Sequence, residues 1–133
     1  MTASTTRILT SMIFTPRRWP PYVLTMFKVL SVIFGGVIIY ASLMSVGPGA
    51  SVPNLDKAMH ALAYAALTGS LRLGWPVIWG GFIIIGAGAL GVGLEFGQAM
   101  LAQGRVASLA DAIANMFGVC IALALLWPFR KDD

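Results

Sequence analysis

Charge is scarce in this sequence. Only 11% of its 133 residues are Asp, Glu, Lys or Arg, against roughly 25% in an ordinary soluble domain. So few charges cannot coat a water-facing surface, which excludes a simple soluble globule. Cysteine is scarcer still. The lone Cys120 excludes an internal disulfide and a cysteine metal cluster, and its position in an apolar run fits a small packing residue. Catalytic signatures are missing too. There is no Gly-x-Ser-x-Gly, no His-Glu-x-x-His and no phosphate loop. No metal and no cofactor is expected.

What the chain has instead is hydrophobicity, 58% of residues, with a mean hydropathy of +0.83. Its net charge of +4 does not point to nucleic acid. The basic residues form no patch with interleaved aromatics. They sit at the edges of apolar runs, where membrane topology places them. Lipids are therefore the first expected partner.

The apolar runs predict an all-α, polytopic membrane protein, a bundle of four transmembrane helices at about 23–46, 55–73, 77–101 and 109–127. A helix of about 20 residues crosses the hydrocarbon core. Residues 1–22 form a cytoplasmic arm, kept from helicity by Pro16, Pro20 and Pro21. Residues 128–133 form a charged cytoplasmic tail after Pro128. The first apolar segment also has the outline of a signal peptide, with Ser45 to Ser51 as its small-residue region. The long arm and the length of the run favour its retention.

The turns carry their own punctuation. Gly47, Pro48, Gly49 and Pro53 form a linker, and Asn54 is a candidate helix N-cap. Gly74-Trp75-Pro76 is a tight turn. Ser108-Leu109-Ala110-Asp111 has capping-box spacing, with Asp in place of Glu or Gln. The third segment is rich in glycine, including Gly93-xxx-Gly97. Such pairs let helices approach closely, either inside one chain or in a homo-oligomer formed through helix 3.

Basic residues set the orientation. With the N-terminus inside, the cytoplasmic side receives Arg7, Arg17, Arg18, Lys28, Arg72, Arg130 and Lys131, and the outer side only Lys57 and Arg105. Both termini are thus expected in the cytoplasm. Trp19, Trp75, Trp79 and Trp127 fall at the same inner interface, where amphipathic rings are favoured.

The remaining polar residues gather at the outer end. Asp56, His60 and Tyr64 are spaced i, i+4, i+8, with Lys57 beside them. Glu95 and Gln98 are spaced i, i+3. Asp111, Asn115 and Gly118 share a face after Arg105 and Ser108. Polar groups in lipid are costly, so these stripes should turn inward and meet in one pocket. Glu95 is the boldest, roughly 9 Å below the end of its helix. Arg105, Lys57 and His60 are its candidate partners.

These blocks, Asp56-Lys57-x-x-His60-x-x-x-Tyr64, Glu95-x-x-Gln98 and Gly104-Arg105-x-x-Ser108-x-x-Asp111-x-x-x-Asn115-x-x-Gly118, resemble the VanZ-like family over roughly residues 53–127. Ala61 stands where that family often has an aromatic. The resemblance implies a multi-pass protein of the bacterial plasma membrane, in a family linked to resistance against glycopeptides such as teicoplanin. It supplies no reaction.

Three functions fit these residues. The first is a non-catalytic envelope protein whose outer pocket binds a lipid-linked precursor or lipoglycopeptide, with Arg105, Lys57 and His60 attracting phosphate or carboxylate. The second is a membrane enzyme using Glu95, His60 and Asp111 for acid/base chemistry on a lipid-linked substrate. The third is a proton-coupled transporter or assembly factor, disfavoured because the polar groups cluster at one face. Binding is the leading reading, and catalysis is left open.

Overall fold

A pair of prolines starts the first helix. Pro20 supplies the carbonyl that accepts the Val23 N–H at 2.9 Å. Pro21 occupies the first helical position, where a missing N–H costs nothing. Helix α1 therefore begins at Pro21 and runs to Met44, two residues earlier at each end than the hydropathy pattern predicts. The computed structural model describes residues 19–44, 55–101 and 108–127, without the side chains of Met44, Gln98, Ala99 and Leu101. The predicted arm, the Gly/Pro linker with Asn54, the turn with Arg105, and the charged tail lie outside the described residues, apart from Trp19 to Tyr22 of the arm.

Three further helices follow. They are α2, Leu55–Gly74; α3, Gly80–Leu101; and α4, Leu109–Leu126. The described residues are thus all-helical apart from the turns. Helices α1, α3 and α4 contain windows long and apolar enough to cross a membrane, with hydropathies of 2.1, 1.6 and 2.1. These three helices point to a membrane-embedded protein. Helix α2 is not among them. Its sequence carries Asp56, Lys57, His60 and Arg72.

Neighbouring contacts fix the directions. Gly35 of α1 meets Leu67 of α2, and Gly74 at the end of α2 meets Lys28 near the start of α1. Gly80 of α3 meets Leu123 of α4, and Gly88 meets Met116. The helices therefore alternate in direction, with α2 packed chiefly between α4 and α1. Its buried residues, Tyr64, Leu67, Thr68, Ser70 and Gly74, run along its length. Leu67 and Tyr64 join Ile38, Ala87 and Val119 in the core. In contrast, Val32 and Tyr40 of α1, Phe82 and Ile85 of α3, and Phe117 and Leu125 of α4 are exposed. This arrangement puts the polar helix inside and apolar side chains outside, the distribution hydrocarbon requires.

Two close approaches hold α2 in place. A Cβ on Gly118 of α4 would overlap the Ala61 carbonyl oxygen of α2. One on Gly74 would lie 2.9 Å from the Lys28 backbone nitrogen. Only hydrogen fits at either crossing, so backbones touch there.

The turn between α2 and α3 is longer than its sequence implies. Helix α3 starts at Gly80, not Val77, because Arg72 binds the intervening carbonyls. Its Nη1 donates to Pro76 O at 2.8 Å and Ile78 O at 3.0 Å. The Ile78 N–H closes a turn onto Trp75 O at 3.0 Å. Lys28 Nζ lies 5.6 Å from the Trp75 ring centroid, a cation–π distance. Trp19 stacks on Phe27, and Trp79 meets Phe82 edge-on. With Trp127 capping the C-terminus of α4, all four tryptophans sit at one end of the helix assembly.

Candidate functional site

The opposite end holds the polar residues, at the start of α2, the end of α3 and the start of α4. Ser108 is the N-cap of α4, with extended backbone, and its Oγ accepts the Asp111 N–H at 3.2 Å. That is half of a capping box. In the full motif the third helical residue returns the favour by accepting the N-cap N–H. Here Glu95 of α3 does so, with Oε2 accepting the Ser108 N–H at 2.8 Å. Glu95 is buried, 8% exposed. Its negative end lies at the positive end of the α4 dipole.

This substitution frees Asp111. Its side chain is also buried, and Oδ1 has no hydrogen-bond partner among the described residues. One turn deeper, Asn115 Oδ1 lies 3.2 Å from His60 Nδ1. An amide oxygen only accepts, so in this contact Nδ1 is the donor. Asn115 Nδ2 and Tyr64 Oη both lie 3.3 Å from where a Gly91 Cβ would stand. Glycine at that point of α3 gives the two polar groups their space. Tyr64 is buried and its hydroxyl has no partner among the described residues.

Not every predicted pocket residue joins this cluster. Asp56 and Lys57 pair with each other at 3.2 Å, both exposed. The i, i+4 spacing explains why. Each step of four residues rotates about 40° around the helix, so Asp56 lies far round from Tyr64 as well as two steps along. Lys57 does not pair with Glu95. Arg105 and the Gln98 side chain lie outside the described residues. His60, Tyr64, Glu95, Ser108, Asp111 and Asn115 are brought to one end by three helices.

Two contributors went unread in the sequence. Thr68 continues the Tyr64 line by four more residues. It is fully buried, and its Oγ1 has no partner among the described residues. The i+4 series through His60 and Tyr64 was its signal. Gly91 was one glycine among many and had no signal of its own. Of the predicted helix-3 pair, Gly97 meets Leu43 of α1, and Gly93 meets nothing among the described residues.

The electrostatic balance is acceptor-rich. Of the described cations, Lys57 pairs with Asp56, Lys28 lies over Trp75, and Arg72 binds the far turn. Among the described residues, no group of three or more His, Cys, Asp or Glu is arranged to hold a metal ion. Alongside the cluster, an open groove of about 430 Å³ follows the outer face of α4, lined by Leu109, Ala112, Ile113, Met116, Phe117 and Cys120. It is apolar and starts level with the polar end. No protein-family model, curated protein or solved structure matches the chain.

Proposed function

We propose that this chain is a VanZ-like protein of the bacterial plasma membrane that crosses it four times, with both termini cytoplasmic. Its outer polar pocket binds a lipid-linked envelope precursor or lipoglycopeptide, and so contributes to glycopeptide resistance or envelope homeostasis. The observation that carries this reading is the convergence of Tyr64, Glu95, Asp111 and Asn115, all buried, from three helices at one end. Burying polar groups without full pairing costs about 1–3 kcal/mol each, and a ligand that completes their hydrogen bonds recovers that cost. The groove along α4 offers hydrocarbon a place beside that pocket. Helix α2 completes the fourth span. At 20 residues it is about 30 Å long, and its neighbours bury Tyr64, Thr68 and Ser70.

Drug susceptibility and ligand binding with Glu95→Gln and Arg105→Ala test the proposal. Both variants should insert normally, bind less and alter susceptibility. Unchanged values in correctly inserted protein would sink it.

One observation favours catalysis as the second reading. Asn115 holds the His60 ring at 3.2 Å, at the same end of the helices as the buried Glu95 and Asp111 carboxyl groups. Incubating the purified protein with envelope lipids tests this reading. Turnover lost with His60→Gln would establish it, and no turnover on any envelope lipid would leave binding alone.

A further inference from the structure

The pocket's ligand class follows from which positions are already filled. A helix N-terminus is an anion site, and the start of α4 would suit a phosphate. Glu95 already occupies it, through the 2.8 Å bond from the Ser108 N–H. A phosphate arriving there would face Glu95 and Asp111 together. The open positions are instead acceptors. Asp111 is 9% exposed, and its Oδ1 lacks any donor among the described residues. His60 Nδ1 is already engaged by Asn115. Tyr64, 1% exposed, holds an unpartnered hydroxyl beside Asn115 over Gly91. A carboxyl oxygen buried without a donor is completed best by a group that brings both N–H donors and positive charge.

We infer that the pocket recognises a primary ammonium group, held by Asp111 Oδ1 with Tyr64 Oη as a further acceptor, and that an anionic phosphate is not its anchor. This rests on the reading of the pocket as a lipid-ligand site. The ammonium can belong to a lipid headgroup or to a soluble amine, and the pocket chemistry is the same for both.

The test uses the full chain, purified in detergent, with native mass spectrometry of bound lipid. The probes are phosphatidylethanolamine, phosphatidylcholine and phosphatidylglycerol with identical acyl chains. Phosphatidylcholine keeps the positive charge but has no N–H donor, and phosphatidylglycerol keeps the phosphate without the amine. Phosphatidylethanolamine should bind roughly tenfold or more tightly than either, the scale of one charge-assisted hydrogen bond. Asp111→Asn should remove that preference, and Tyr64→Phe should reduce it while helicity and thermal stability hold. Gly93→Ala, where an added methyl meets nothing within 4 Å among the described residues, should leave it intact. Competition by glycerophosphoethanolamine would assign the ammonium to soluble amines, and its failure to compete would assign it to lipid.

Equal binding of phosphatidylethanolamine and phosphatidylcholine overturns the inference. So does a preference that survives both Asp111→Asn and Tyr64→Phe. A preference for phosphatidylglycerol that depends on Glu95 removes the ammonium but keeps the lipid pocket. No binding of any lipid sensitive to these residues removes both.

Discussion

Glu95 of α3 accepts the backbone N–H of Ser108, the N-cap of α4. The bond joins the end of one helix to the start of the next across thirteen residues. It completes a capping box with a residue from another helix, and so separates the two carboxyl groups by role. Glu95 ties α3 to α4, and Asp111 Oδ1 is left without a partner among the described residues.

Removing that acceptor has a defined cost. Glu95→Ala should lose about 1–3 kcal/mol, the penalty of leaving a buried N–H unpaired. Glu95→Gln keeps a carbonyl oxygen for Ser108 and should lose less. Thermal unfolding in detergent checks the order. If Glu95→Ala is as stable as the wild type, the bond has no structural weight.

Glycines divide by what they face. Gly118→Ala drives a methyl group into the Ala61 carbonyl. The obstacle is backbone, so α2 and α4 must separate. Overpacking of this kind costs about 1–3 kcal/mol or more. Gly93→Ala and Gly86→Ala meet nothing within 4 Å among the described residues and should be neutral or mildly stabilising, since alanine favours helix by up to about 1 kcal/mol. Folded yield and melting temperature of the three variants give the comparison. A stable Gly118→Ala protein would remove the backbone contact as the lock between α2 and α4.

The unpartnered hydroxyls should behave in the opposite way to a normal hydrogen bond. Thr68→Val replaces a buried, unsatisfied oxygen by a methyl group of similar size, so stability should hold or rise. Tyr64→Phe should likewise keep stability, yet weaken ligand binding. The split between melting temperature and binding distinguishes a pocket residue from a packing residue. Loss of stability in both variants would mean that these oxygens are paired in the folded protein.

Topology gives an independent check on the four-span proposal. Reporter domains fused at either terminus should read cytoplasmic, and a reporter inserted at the outer end of α2 should read external. With only α1, α3 and α4 crossing, an odd number of spans would put the termini on opposite sides. That result would move α2 from span to interfacial helix.

Local pattern was enough for the helices and their membrane character. Long apolar runs leave a chain no stable choice but helix in lipid, because every backbone group must be satisfied within its own segment. The ends were less legible. Arg72 shifts the start of α3 through bonds to two carbonyls, and Pro21 takes the first position of α1, neither of which hydropathy registers. For the candidate site, i+4 spacing announced that polar stripes exist on α2 and α4. It could not say that Asp56 turns away to Lys57, or that Thr68 extends the line inside. The tertiary structure alone decided what became of the Ser108–Asp111 capping signal. The sequence around α4 specifies a reciprocal pair within one helix. Packing brings Glu95 to the Ser108 N–H, and a donor with one proton makes one good bond. Asp111 Oδ1 is buried without a donor among the described residues, a consequence that depends on the meeting of two helices and is written in neither of them alone.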